Sequence, residues 1–255
     1  MMTTKSNDRP VLFLHGWTMR GSVFDPLVDA LGPRAMAPDF PGHGDNTDHP
    51  TGLDSCVAQV DALIRATGRE DVLLVGWSMG AAVAWSYIRD HGTARLSGLV
   101  TLDMSPRPAN GSDWDLGLLG STPERLAAST REIHEDWASA AEKIATTMFA
   151  TREGAPAFSR DAALLQVLSN DPAIMAAYWD DLMALNLWDV VARVDVPWLV
   201  GYGERSRVYP EATALWMANT AQQAHAVGFA QSGHSANLEE PEAFLAALQA
   251  FEDGL

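Results

Sequence analysis

The chain lacks most of what a disulfide-stapled, fibrous or membrane-spanning protein needs. It has one cysteine, Cys56, in 255 residues. One thiol can form no intrachain disulfide and no cysteine metal cluster, and nothing around Cys56 marks an activated thiolate, so it reads as a core or surface residue. No apolar run approaches the roughly 18 residues of a membrane span, so no membrane partner is expected. Positive charge is scarce: 17 Lys+Arg stand against 33 Asp+Glu, a formal net charge of -16. That balance repels phosphate backbones and anionic lipid surfaces, and nucleic acid is not an expected partner. The opening residues MMTTKSNDRP carry no apolar stretch of the signal-peptide kind, so a reducing cytoplasm is the expected compartment. Internal repeats and low-complexity tracts are missing too. What remains is a globular balance, 47% hydrophobic and 20% charged, at a length that suits one α/β core.

Short apolar runs alternate with helical patterns. Residues 11–15, 34–40, 72–75, 96–103, 197–202 and 224–229 read as strands, bounded by glycine and proline. Residues 72–75 are apolar throughout, as in a parallel strand covered on both faces. Between them, residues 24–31, 78–90 and 241–251 read as helices, and Thr51 with Asp54 suggests a capping box for a helix reaching Thr67. This alternation predicts a mostly parallel sheet of about six strands with helices on both faces. Residues 104–194 break the pattern. No strand is evident there, and helical patterns over 124–149, 159–168 and 172–187 are separated by prolines. So long a crossover is unusual. We read residues 105–190 as a helical cap inserted before the penultimate strand, and residues 1–104 with 191–255 as the core.

The residues with chemistry gather at strand ends. Gly76-Trp77-Ser78-Met79-Gly80 fits G-x-S-x-G and sits between a strand and a helix, where a serine is held exposed on a sharp turn. A serine hydroxyl needs a base to act at neutral pH. Of the seven histidines, His234 follows the last strand and lies after Ser78, in the expected chain order. His15 and His43 precede Ser78 in glycine-flanked loops, His91, His134 and His225 read as surface or structural residues, and His49 falls in a polar loop. An oxyanion would take two backbone N–H donors: Met79, directly after the serine, and Trp17, in the loop His15-Gly16-Trp17 after the first strand. His15 is then the residue that holds that loop.

Together, HGW at 15–17, DFPGHG at 39–44, GWSMG at 76–80 and GHSANLEEPEAF at 233–244 resemble the α/β-hydrolase family over nearly the whole chain. The resemblance implies an α/β-hydrolase fold with Ser78 as nucleophile, His234 as base and the insertion as a cap. The family's first two strands are expected to be missing. The chain also departs from the family at the acid. Many members carry it in a G-x-x-D loop after the strand that follows the cap, but here that loop reads Gly203-Glu204-Arg205-Ser206, and a serine cannot supply the charge that stabilises an imidazolium. Some members place the acid at the end of the strand before the cap, which here ends in Asp103. Asp103 is the expected acid and Glu204 the alternative.

The expected activity is cleavage of a small or medium carboxylic ester through an acyl-enzyme, with neither cofactor nor metal. Trp17, Met19, Trp77, Met104 and Trp188 suggest an apolar substrate pocket. The alternatives on the same site are a thioesterase, a carbon–carbon hydrolase, a lactonase, a cofactor-free haloperoxidase or perhydrolase, and, without catalysis, a ligand-binding module. The elbow with HGW also looks like the methyl-esterases acting on pimeloyl carrier-protein esters. Docking an acidic carrier protein would take a local basic patch, for which Arg20, Arg125, Arg131 and Lys143 are the candidates.

Overall fold

A computed structural model describes residues 8–47 and 50–255; the first seven residues and His49 lie outside them. Six parallel strands form one sheet: β1 (Val11–Leu14), β2 (Ala35–Met36), β3 (Val72–Trp77), β4 (Leu96–Leu102) and, after a hairpin numbered β5 and β6 below, β7 (Trp198–Gly203) and β8 (Ala224–Phe229). The order across the sheet is β2-β1-β3-β4-β7-β8. The chain reverses its direction of travel between β1 and β3. In open parallel sheets, sites form at such a switch, outside the carboxyl ends of the strands.

Helices α1 (Asp25–Leu31), α2 (Leu53–Ala66) and α3 (Met79–His91) connect the early strands. The strands alternate between two cores, as the two-residue strand period requires. Leu12, Leu14, Val72 and Leu74 face one cluster with α2 and α3; Val11, Phe13, Leu73, Val75 and Trp77 face the other. This two-sided burial explains the continuous apolar runs.

Between β4 and β7 lie α4 (Pro123–Glu135), α5 (Trp137–Thr147), the hairpin β5 (Gly154–Ala155) with β6 (Phe158–Ser159), α6 (Arg160–Leu168), α7 (Pro172–Ala184) and α8 (Trp188–Val191). These elements are not a separate globule. Met175, Tyr178 and Leu182 of α7 enter one core of the sheet, and Ala141, Phe149 and Val167 enter the other. After β7 come α9 (Glu211–Thr220), α10 (Ala236–Glu239) and α11 (Pro241–Asp253).

Four local expectations are corrected. The strand expected over residues 34–40 shrinks to Ala35–Met36, because Pro38 and Pro41 cannot donate to a ladder. The Thr51 capping box does not form: Gly52 is the N-cap, and its helix takes Asp181 of α7 instead, whose carboxylate accepts from Leu53 N–H at 3.2 Å. The helix expected over 124–149 splits at Asp136, which leaves helical geometry (φ -141°, ψ 70°) and caps the second piece by accepting from Ser139 N–H. Finally, the insertion does hold strands, the short β5–β6 hairpin.

Candidate active site

The carboxyl ends of β1, β3, β4, β7 and β8 deliver their loops to one edge of the sheet. Ser78 follows β3 with φ 53° and ψ -121°, a region that non-glycine residues rarely occupy. The turn is tight because α3 lies directly on β1: a Cβ at Gly80 would fall 2.0 Å from Leu14 O. Asp103 follows β4, also with positive φ (45°). Neighbouring strands fix both residues. Ser78 N–H donates to Leu102 O and Asp103 N–H donates to Gly201 O, each at 2.9 Å.

His234 lies between them. Its Nε2 accepts from Ser78 Oγ at 2.8 Å, and its Nδ1 donates to Asp103 Oδ2 at 2.6 Å. Asp103 and His234 are buried, at 5% and 7% exposure, while Ser78 is half-buried at the cavity. A carboxylate can only accept, so it sets the imidazole tautomer and leaves Nε2 free to take a proton. The side chain of Glu204 is exposed, pointing toward Gly228 and Tyr202 with no contact to His234. The structure therefore brings Asp103, and not Glu204, to the histidine.

The loop after β1 faces the serine closely; a Cβ on Gly16 would stand 3.3 Å from Ser78 Cβ. Met79 is the first residue of α3, so its N–H has no intrahelical acceptor. Among the described residues, neither Met79 N–H nor Trp17 N–H has a backbone partner. His15 braces the loop by donating Nδ1–H to Gly16 O and accepting Phe40 N–H at Nε2, both at 2.9 Å. Burial holds the His15 imidazole down to about 4, so it stays neutral. His43, packed against His15, is lowered to about 3 by burial, with His15 adding to the shift. Burial pushes the Cys56 thiol up to about 12, in keeping with its place in the core.

A cavity of about 390 Å³ opens on Ser78 and His234. Trp17, Met19, Trp77 and Met104 line it, along with Ile133 of α4 and Leu182 of α7. Trp188 does not. It is held away, edge-on to Trp114 at 5.8 Å with the Arg107 guanidinium 5.2 Å from its ring centre, because Leu187 N–H is tied to Pro106 O at 2.8 Å. Of the four basic candidates, Arg125 and Lys143 border the cavity, and Lys143 is paired with Glu132. His91, His134 and His225 are exposed. Among the described residues no helix is long and apolar enough to cross a membrane.

Three roles emerge only from the structure, two of them for residues the sequence places at the site on other grounds. Ser206 donates to Asp103, Trp77 donates its indole N–H to His234 O, and Glu239 accepts from Gly233 and Ser235 N–H on either side of His234. The signal for Glu239 was present in GHSANLEEPEAF, where a carboxylate follows the histidine by one helical turn and a residue.

Residues 11–247 match the model of the Alpha/beta hydrolase family. A pimeloyl-[acyl-carrier protein] methyl ester esterase of Vibrio cholerae serotype O1 is 30% identical, covering 94% of this chain and 93% of that protein. One of the same name from Nitrosomonas europaea is 28% identical over 97% of both chains. Among solved structures, the esterase EaEST from Exiguobacterium antarcticum superposes with a TM-score of 0.86 at 21% identity, covering 96% of this chain and 92% of that one. A bromoperoxidase from Bacillus anthracis reaches the same TM-score at 20% identity, covering 95% and 91%. At those identities the structural likeness speaks for the fold alone.

Proposed function

The chain belongs to the alpha/beta hydrolase family, and from that membership we propose that it cleaves a small or medium carboxylic ester through an acyl-enzyme on Ser78. The observation that carries this reading is the unbroken relay from Ser78 Oγ through His234 to Asp103, at 2.8 and 2.6 Å.

His234 Nε2 takes the hydroxyl proton as Ser78 Oγ attacks the ester carbonyl carbon. The carbonyl oxygen becomes an oxyanion, and the Met79 and Trp17 N–H groups are the donors this reading assigns to it. The Asp103 carboxylate stabilises the imidazolium without taking its proton. The imidazolium then protonates the leaving alkoxide as the tetrahedral intermediate collapses. Water, deprotonated by His234, attacks the acyl-enzyme and releases the acid and the free serine. Trp17, Met19, Trp77 and Met104 offer the acyl group an apolar wall.

The test is turnover of p-nitrophenyl esters with acyl chains of two to eight carbons, with intact-mass detection of an acyl adduct. The native chain turns over, prefers the short end of the series and carries the adduct; Ser78→Ala loses both turnover and adduct. Undiminished hydrolysis by Ser78→Ala sinks the reading. A second reading, demethylation of a carrier-protein-bound acyl methyl ester, draws support from the printed activity of the relatives and from Arg125 and Lys143 beside the cavity. It predicts that Arg125→Glu with Lys143→Glu weakens turnover of the carrier-bound ester while sparing the p-nitrophenyl ester.

A further inference from the structure

The loop where many α/β-hydrolases hold their acid carries Ser206, and that serine is turned to another use. Its Oγ donates to Asp103 Oδ2 at 2.7 Å, the same oxygen that receives His234 Nδ1–H at 2.6 Å. The direction of the bond is fixed. Val208 N–H and Tyr209 N–H both point at Ser206 Oγ, at 3.2 and 3.4 Å, so its lone pairs are engaged and its proton is left for the carboxylate.

The loop has no slack that would let Ser206 drift. Ser206 N–H donates to Gly203 O at 3.0 Å and Arg205 N–H donates to Ser232 O at 2.9 Å. A Cβ on Gly203 would fall 1.8 Å from Gly233 O, so the loops bearing Ser206 and His234 touch backbone to backbone. Asp103 itself sits at positive φ on a strand end, with Ser206 and His234 both bonded to one oxygen of its carboxylate.

We propose that Ser206 is a positioning residue for the reaction: its hydroxyl locks the Asp103 carboxylate in the orientation that meets His234 and draws charge from the shared oxygen. This rests on the reading of Asp103 as the acid. The other groups facing this cluster are Ser78, the Tyr209 ring 6.0 Å from the imidazole, and the Glu239 carboxylate, which feels His234. Two consequences follow from a lost donor. The carboxylate turns among several orientations, which lowers kcat with little effect on KM. The undiluted charge on Oδ2 also favours the imidazolium, which moves the acidic limb of the kcat/KM profile to higher pH.

The test is a cycle of Ser206→Ala, Ser206→Thr, Asp103→Asn and the double variant Ser206→Ala with Asp103→Asn, read as kcat, KM and kcat/KM against pH, with melting curves for each. Ser206→Ala is expected to lower kcat about tenfold, to leave KM within about twofold, and to shift the acidic limb upward; Ser206→Thr, which keeps the donor, restores both. In the Asp103→Asn background the alanine costs little more, because two residues acting through one carboxylate are non-additive. Ser206→Ala with native kcat and an unmoved limb overturns the proposal. So does a loss that threonine fails to rescue, or one that adds in full to that of Asp103→Asn. If Asp103→Asn itself stays active, the assignment of the acid fails instead, whatever Ser206 does.

Discussion

The Trp77 indole donates Nε1–H to the carbonyl oxygen of His234 at 2.7 Å, so the residue before the serine also holds the loop of the base. Trp77 is 2% exposed and that carbonyl lies in the same buried layer. Trp77→Phe keeps an aromatic ring there and removes the donor. An orphaned buried acceptor costs about 1–3 kcal/mol. The variant is expected to melt earlier and to lose kcat about three- to thirtyfold, as His234 samples positions outside reach of Ser78. Calorimetry and steady-state kinetics read both effects; native values for both would show that the loop needs no such tie.

Glu239 carries a comparable load from the other side. Its carboxylate accepts from Gly233 and Ser235 N–H at 2.8 and 3.3 Å, and from Ala150 N–H at 2.6 Å in the bend after α5. It thus fastens the histidine loop to the segment between β4 and β7. Burial raises the affinity of this carboxyl for a proton, against the pull of the three N–H groups. Glu239→Ala is expected to lower kcat/KM at least tenfold and to raise protease cleavage near Ala150, with Glu239→Gln intermediate, since one amide oxygen replaces two acceptors. Equal cleavage rates in all three proteins would disprove the link to the Ala150 segment.

The acid can be tested by a pair of neutral isosteres. Asp103→Asn removes the negative charge beside His234 and offers a donor where an acceptor is needed, so kcat is expected to fall by about 10⁴ with the fold intact. Asparagine also tolerates the positive φ of that position. Glu204→Gln changes an exposed group without contact to His234 and is expected to stay within about twofold. The reverse pattern would move the acid to Glu204.

Much of this arrangement was legible in the sequence because it is local. The run Val72–Val75 had to be covered on both faces, and glycines around Ser78 had to form a turn. What escaped was decided by partners distant in sequence. Thr51 lost the cap of α2 to Asp181, some 130 residues away. Asp136 lies inside an unbroken helical pattern, yet it ends one helix and caps the next. Trp188 carried the composition of a pocket residue but was drawn to Trp114 and Arg107. In sequence Ser206 shows only the charge it lacks; the proton it offers Asp103 depends on β4 and β7 lying side by side, which no spacing along the chain records.

The buried histidines behind the active-site loop give the fold an acid limit. His15 and His43 are 0% and 1% exposed, and burial lowers them to about 4 and about 3. Among the described residues His43 Nε2 has no hydrogen-bond partner. In the unfolded chain both return to about 6.5. Below that pH the unfolded state binds protons that the folded state refuses, so stability falls as pH drops, by up to about 1.4 kcal/mol per pH unit for each histidine. The loss begins near pH 6.5 and levels for His15 near 4 and for His43 near 3; above pH 7 neither contributes to any pH dependence. Urea unfolding between pH 7.5 and 4.5 measures the slope. His43→Gln removes one titrating group and is expected to reduce that slope by about one proton. A slope unchanged by the substitution would mean that His43 is protonated in the folded chain as readily as in the unfolded one, and the neutral layer beneath the Gly16–Trp17 loop would have to be abandoned.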